Sequence, residues 1–300
     1  MIIGFGALFC AALFAAAAAA AAAGASTFPL SVLQPVGASL LPSKAALAQA
    51  LREAAASASS AGSLLLVLPE LFSTGYNPAA LFGGEPRGGA SYTAAAALAR
   101  EFNLSILYTY TESAADGRLY DSAALFNRSG AALLDYRKVN LAGDGEALVF
   151  APGSAIAPVV ELDGLRVGVL ICFDIFLPEP ARLLGLQEVD LILVPTANGY
   201  PGNVYNQLTN LIVPTRGLEN NAWVVYANWW QARSANSSAF PEIFSFYGQS
   251  TVTDPGGGLV WRGPSDSGAL AHLQLNLTGR TGGSTAQGRP PADVQGLCTL

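Results

Sequence analysis

Charge is scarce in this chain. Asp, Glu, Lys and Arg together make up 12 % of its 300 residues, against 51 % hydrophobic. That balance excludes a disordered chain and calls for a sizeable core. The formal charge is −6 and the few basic residues form no patch, which excludes a nucleic-acid surface built on clustered Lys and Arg. Histidine is nearly absent: His272 is the one copy, so Ser-His-Asp and Cys-His chemistry would have to run through it. It sits in the alternating segment 269–275, where a structural role is the simpler reading. No glycine-rich loop opens a helix and no His/Cys cluster has metal spacing, so neither a cofactor nor a metal is expected. Cysteine is rare as well, with three copies. One of them lies in the N-terminal segment. Without it, Cys172 and Cys298 cannot form a disulfide framework, and stability must come from packing.

What the chain does have begins with an apolar leader. No charged side chain precedes Lys44, and 15–23 is a run of nine alanines followed by the small-residue site Ala23-Gly24-Ala25. Segment 1–25 reads as a cleaved signal peptide, which implies a secreted protein or passage through the secretory pathway. The stretch has no basic n-region, and alanine is weakly apolar, so a single retained N-terminal membrane anchor is the alternative. Sequons at Asn103, Asn127, Asn236 and Asn276 fit the secretory reading and an N-glycosylated product.

From residue 26 the pattern alternates strands and helices. Strands are expected over 27–34, 64–68, 104–110, 119–127, 131–136, 165–171, 190–194, 223–228, 248–254 and 259–261. Helices are expected over 44–60, 91–102, 179–186 and 203–220, the last interrupted at Pro214. Runs such as LLLVL and VGVLI are apolar at every position, which implies α/β architecture with sheets covered on both faces. No linker divides 44–254, so 26–278 is one domain, and 279–300, rich in Gly, Ser, Thr and Pro, is a loose tail.

Three apolar runs end on chemistry. LLLVLPE closes on Glu70, AALLDYRKV carries Lys138, and GVLICFD carries Cys172. A carboxylate, a cation and a thiol, each just past a strand, are what acyl transfer through a thioester requires. Taken singly, each has a bland reading: a helix-start carboxylate, a strand-end charge, a buried core thiol. A free thiol titrates near about 8.5 and needs help at neutral pH. Glu70 would take its proton, and the charge of Lys138 would favour the thiolate. Lys138 and the backbone N–H of Phe173 would face the oxyanion. A nucleophilic Cys172 should not pair with Cys298.

The motifs around these residues resemble the nitrilase superfamily, the carbon-nitrogen hydrolases. Pro69-Glu70 with Gly75-Tyr76 is similar to the first catalytic motif of that family. Tyr136-Arg137-Lys138 with Asn140-Leu141 and Gly143 is similar to the second. Leu170-Ile171-Cys172-Phe173-Asp174, followed by Pro178-Glu179 and Arg182, is similar to the third. Pro195 to Asn198, Arg216 with Glu219-Asn220, and Gly248-Gln249-Ser250 extend the likeness, which runs over about 27–271. The resemblance implies a four-layer α-β-β-α sandwich, assembly into a homodimer or larger homo-oligomer, and hydrolysis of a small-molecule amide without a cofactor. It implies Glu70, Lys138 and Cys172 as catalytic and Glu146 as the supporting carboxylate, with Asp144 as the alternative. Tyr76, Asn198 and Trp229 follow strand ends and would line the substrate pocket, or serve core packing. Arg216 and Glu219 read as a buried structural pair. Many relatives carry histidine where this chain has Asn140, which bears on substrate preference. The motif style points to a linear-amide amidase. Alternatives are a secreted pantetheine- or biotin-type amide hydrolase, a nitrilase, and a catalytically silent scaffold of the same fold.

Overall fold

Apolar runs with no polar face become strands covered on both sides, and two such sets form the frame of the protein. The computed structural model describes residues 27–37, 43–75, 83–199, 203–231 and 245–278, with side chains of the helix over 203–220 described from 210 onward. The leader, Tyr76, Cys298, the sequon at Asn236 and the tail 279–300 lie outside the described residues.

The first sheet contains β1 (Thr27–Gln34), β2 (Leu65–Val67), β3 (Ser105–Ser113), β4 (Leu119–Phe126), β5 (Ala132–Arg137) and β14 (Ala269–Asn276), ordered β14-β1-β2-β3-β4-β5. The second contains β6 (Val160–Leu162), β7 (Leu165–Val169), β8 (Leu191–Pro195), β9 (Trp223–Ala227), β12 (Thr251–Thr253) and β13 (Leu259–Arg262), ordered β13-β12-β9-β8-β7-β6. A two-residue pair, β10 (Trp230–Gln231) with β11 (Phe246–Tyr247), stands apart. Each six-stranded sheet has three central parallel strands, β1-β2-β3 and β7-β8-β9, flanked by antiparallel neighbours.

Alternation along the strands makes the layers. Leu65 and Val67 face the other sheet in a core shared with Val167, Val169, Leu191, Leu193 and Val225. Leu66 and Leu68 point the other way, onto α1 (Lys44–Ser60) and α2 (Ala90–Glu101), where Leu47, Leu51, Ala55, Ala95 and Leu98 are buried. On the far side, Ile192, Val194 and Val224 meet Ala181 and Leu184 of α4 (Pro178–Leu186) and Val213 of α5 (Asn203–Asn220). The result is the α-β-β-α sandwich that the family resemblance implies. Gly168, on the outer face of β7, leaves room for Leu184, whose Cδ1 lies 2.7 Å from where a Cβ would stand.

Several local expectations are corrected. The helix over 203–220 is not interrupted: Pro214 lies inside it. Among short elements, β6, β10, β11 and the one-turn helix α3 (Gly143–Ala147) carry too few residues to show a period. The strand expected over 248–254 is only Thr251–Thr253. The β4–β5 hairpin is as read: Oδ1 of Asn127 accepts from the Ser129 and Ala131 amides (3.0 Å each), and Gly130 takes φ +80°. His272 is structural, its Nδ1 lying 2.8 Å from Ser31 Oγ. Among the described residues no helix is long and apolar enough to cross a membrane.

Candidate active site

The ends of β2, β5 and β7 bring Glu70, Lys138 and Cys172 together. Glu70 follows β2 in a turn pinned by the second sheet. Its N–H reaches Thr196 O at the end of β8 (3.4 Å), and its carbonyl accepts Nε1 of Trp229 (2.8 Å). Trp229, read as either a pocket or a core-packing residue, is buried and stacked on Phe72, with ring centroids 5.7 Å apart. Lys138 leaves β5 with its N–H on Asp121 O (2.8 Å) and its carbonyl on Gly153 N–H (2.7 Å). The preceding Arg137 locks this strand end through a two-pronged pair with buried Glu112 (3.0 and 2.6 Å).

The Lys138 side chain is fully buried, and its Nζ lies 2.7 Å from Glu70 Oε1 and 2.8 Å from Glu146. Glu146 is itself held by the Ala142 amide on its Oε2 (2.7 Å). Asp144, the alternative partner, is exposed. Burial works to lower the Lys138 pKa, but Glu70 and Glu146 outweigh it and hold the ammonium charged well above its ordinary range.

Cys172 opens a 3-10 turn, Cys172–Phe176, with φ +45°. Asp174 fixes that turn to the Lys138 segment. Its Oδ2 accepts Ile171 N–H (3.0 Å) and Tyr136 Oη–H (2.6 Å), and its Oδ1 accepts both the backbone and side-chain N–H of Asn140 (2.8 and 2.9 Å). From the other side Arg216 donates to Ile175 O and Phe176 O (3.0 Å each) and pairs with Glu219 (2.9 Å). Arg216 is therefore a buried structural residue that braces the cysteine turn. The first bond of the 3-10 turn is Asp174 N–H to Ile171 O (3.0 Å), so the Phe173 amide precedes any carbonyl it could reach within the turn.

Cys172 is the one residue of the three that retains any exposure: 7 % against 0 % for Glu70 and Lys138. Burial pushes its pKa well up, and the charge of Glu70 adds to this. Lys138 pulls the other way and is outweighed. The expectation that the lysine favours a thiolate holds in direction, but its charge is shared with two carboxylates, so burial and Glu70 win and keep the group on the thiol side.

Asn198 follows β8 and is nearly buried, its N–H on Oδ1 of Asn228 (2.8 Å). Asn198 and Cys172 both lie in the environment of Tyr226. Two residues of the site went unread in the sequence. Asp174 was seen only as part of a motif. Asp121 is a charged residue inside the all-buried end of β4, and that anomaly is the signal that could have found it. Carboxyl oxygens of Glu70, Asp121 and Glu146 lie within 4.8 Å of one another. The Lys138 ammonium stands among them, where a metal ion would otherwise sit.

Comparison with known proteins agrees with this architecture. A hydrolase from Pseudomonas protegens, described as lying in the pqqF 5' region, is 39 % identical over 65 % of this chain and 66 % of its own length. An (R)-stereoselective amidase from Pseudomonas sp. is 30 % identical over 67 % of this chain and 69 % of its own. The chain thus spans about two thirds of the length of these curated relatives. Among solved structures, a double mutant of the amidase from Nesterenkonia sp. AN1 in complex with acrylamide superposes with a TM-score of 0.75. It covers 91 % of this chain and 97 % of that one at 22 % identity. A mutant of the same amidase in complex with butyramide has a TM-score of 0.72 at 25 % identity, over 83 % of this chain and 91 % of that one. The family model of the carbon-nitrogen hydrolases matches residues 19–282, nearly the whole sequence, and the chain belongs to that family, within the nitrilase superfamily.

Proposed function

We propose that this chain is an amidase that hydrolyses a small linear amide to acid and ammonia or amine through a thioester on Cys172. The observation that carries the reading is the contact of a fully buried Lys138 ammonium with Glu70 (2.7 Å) in the same cluster as the Cys172 thiol. The small amides bound by the Nesterenkonia amidase, acrylamide and butyramide, set the size of substrate to try first.

In this mechanism Glu70 takes the thiol proton as Cys172 Sγ bonds to the amide carbon. The carbonyl oxygen becomes an oxyanion facing Lys138 and the Phe173 N–H, each donor contributing about 3 kcal/mol. Glu70 returns the proton to the nitrogen as the C–N bond breaks. A water then loses a proton to Glu70 and attacks the thioester; the C–S bond breaks, and the proton passes from Glu70 to sulfur. Glu146 keeps Lys138 aimed. Asn198 is proposed to border the substrate. A homodimer or larger homo-oligomer remains part of the proposal: Leu211 and Leu218 of α5 and Leu259 and Val260 of β13 are exposed apolar side chains on one sheet-helix layer. A monomer mass by light scattering would end that part.

Ammonia release over a panel of short amides tests the reading. Wild type should release ammonia, and Cys172→Ala should fall by at least about a thousandfold. With an iodoacetamide-type probe, the adduct mass should map to Cys172. Unchanged turnover in Cys172→Ala would sink the proposal, as would a silent wild type.

A further inference from the structure

The reaction above engages Glu70, Lys138, Glu146 and Cys172, and leaves one buried ionisable group without a task. Asp121, 1 % exposed, faces Glu70, Lys138 and Glu146, within the cluster that also holds Cys172. Neither of its carboxyl oxygens meets a donor among the described residues, and the same is true of Oε2 of Glu70. Lys138 does not fill the gap, since its Nζ lies 3.6 Å from Asp121 Oδ2, while Glu70 and Glu146 take hydrogen bonds from it at 2.7 and 2.8 Å.

Three carboxylates around one ammonium would carry two uncompensated charges in a sealed space. Two neighbouring carboxyls with no donor between them share a proton instead. Which one keeps it follows from the surroundings. Glu70 is neutralised by Lys138 at contact distance, whereas Asp121 is not, and burial followed by the Glu70 charge pushes the Asp121 pKa well up.

We propose that Asp121 is a positioning residue that carries a proton at neutral pH and donates it as a hydrogen bond to Oε2 of Glu70. This rests on the reading of Glu70 as the base. Glu70 is then fixed by a donor on each oxygen, Lys138 on Oε1 and Asp121 on Oε2, with its remaining lone pairs directed at the proton it moves. At alkaline pH Asp121 loses its proton, the hydrogen bond becomes a repulsion, and Glu70 is set loose.

Two substitutions separate this role from bulk packing. Asp121→Asn keeps the shape and an N–H donor but cannot ionise, so hydrolysis at neutral pH stays within about threefold of wild type and the alkaline limb of the pH profile moves upward. Asp121→Ala removes the donor to a charged group and drops kcat by at least about tenfold. A carboxylic-acid C=O stretch in the infrared spectrum of wild type at neutral pH should vanish in Asp121→Asn. If Asp121→Asn does not fold, wild type with 13C-labelled aspartate carboxyls shows the protonated group directly.

Absence of the protonated carboxyl overturns the proposal, and so does an Asp121→Asn enzyme as impaired as Asp121→Ala. The spectroscopic arm needs no turnover. If wild type proves silent on amides, the rate of Cys172 alkylation replaces hydrolysis, and the same ordering of variants is required. Failure of the amidase reading is therefore distinct from failure of this one.

Discussion

A residue with a Cβ in the left-handed region costs about 1–3 kcal/mol, and Cys172 holds φ +45° because its neighbours leave it no alternative. Asp174 collects four donors across the turn, and Arg216 holds the two carbonyls that follow. The thiol so presented is buried beside Glu70, which raises its pKa. A free thiol titrates near about 8.5. The ultraviolet absorbance of thiolate, taken as wild type minus Cys172→Ala, should therefore appear only above that value. The folded pKa lies above the unfolded one, so the stability this group contributes is complete below the unfolded value and is lost as pH rises through the folded value. Thiolate absorbance already present at neutral pH would mean a preformed thiolate–lysine ion pair and would overturn the thiol assignment.

At the scale of elements, Lys138 depends on how β5 ends. Gly153 donates to Lys138 O, and a Cβ on Gly153 would lie 2.3 Å from Arg137 O, a backbone atom that cannot step aside. Gly168→Ala meets the flexible end of Leu184 instead. Gly153→Ala should cost about 1–3 kcal/mol by urea denaturation and lower kcat by displacing Lys138, whereas Gly168→Ala should cost less and leave kcat nearly intact. Equal effects on kcat would show that the Gly153 contact does not govern the lysine. What was legible in the sequence follows the same division. Runs such as Leu64 to Leu68 announce strands because both faces are buried, and the chemistry at their ends was visible with them. Asp121 was not, because its meaning depends on the exact register of the hairpin, which sets it beside Lys138 and which the turn residues alone do not fix. Nor was α3, whose one turn is defined by Glu146 reaching Lys138 and the Ala142 amide rather than by any helical period.

For the whole molecule, the candidate site straddles the two sheets: Glu70 and Lys138 come from the ends of β2 and β5, Cys172 from the end of β7. Its geometry is therefore set by the core between the sheets. Adjacent residues of β8 separate that dependence from general stability. Leu193 lies in the inter-sheet core, while Ile192 faces α4 and α5, and both are fully buried. Truncating either to alanine should cost about 2–5 kcal/mol, since each leaves a cavity of similar size. Only the cavity of Leu193→Ala lies between the layers that carry the base and the thiol. Assayed well below the melting temperature of both variants, Leu193→Ala should lose about tenfold or more in kcat, while Ile192→Ala stays near wild type. A matched fall in both, or a larger one in Ile192→Ala, would show that the register of the two sheets is not what holds Glu70 and Lys138 against Cys172.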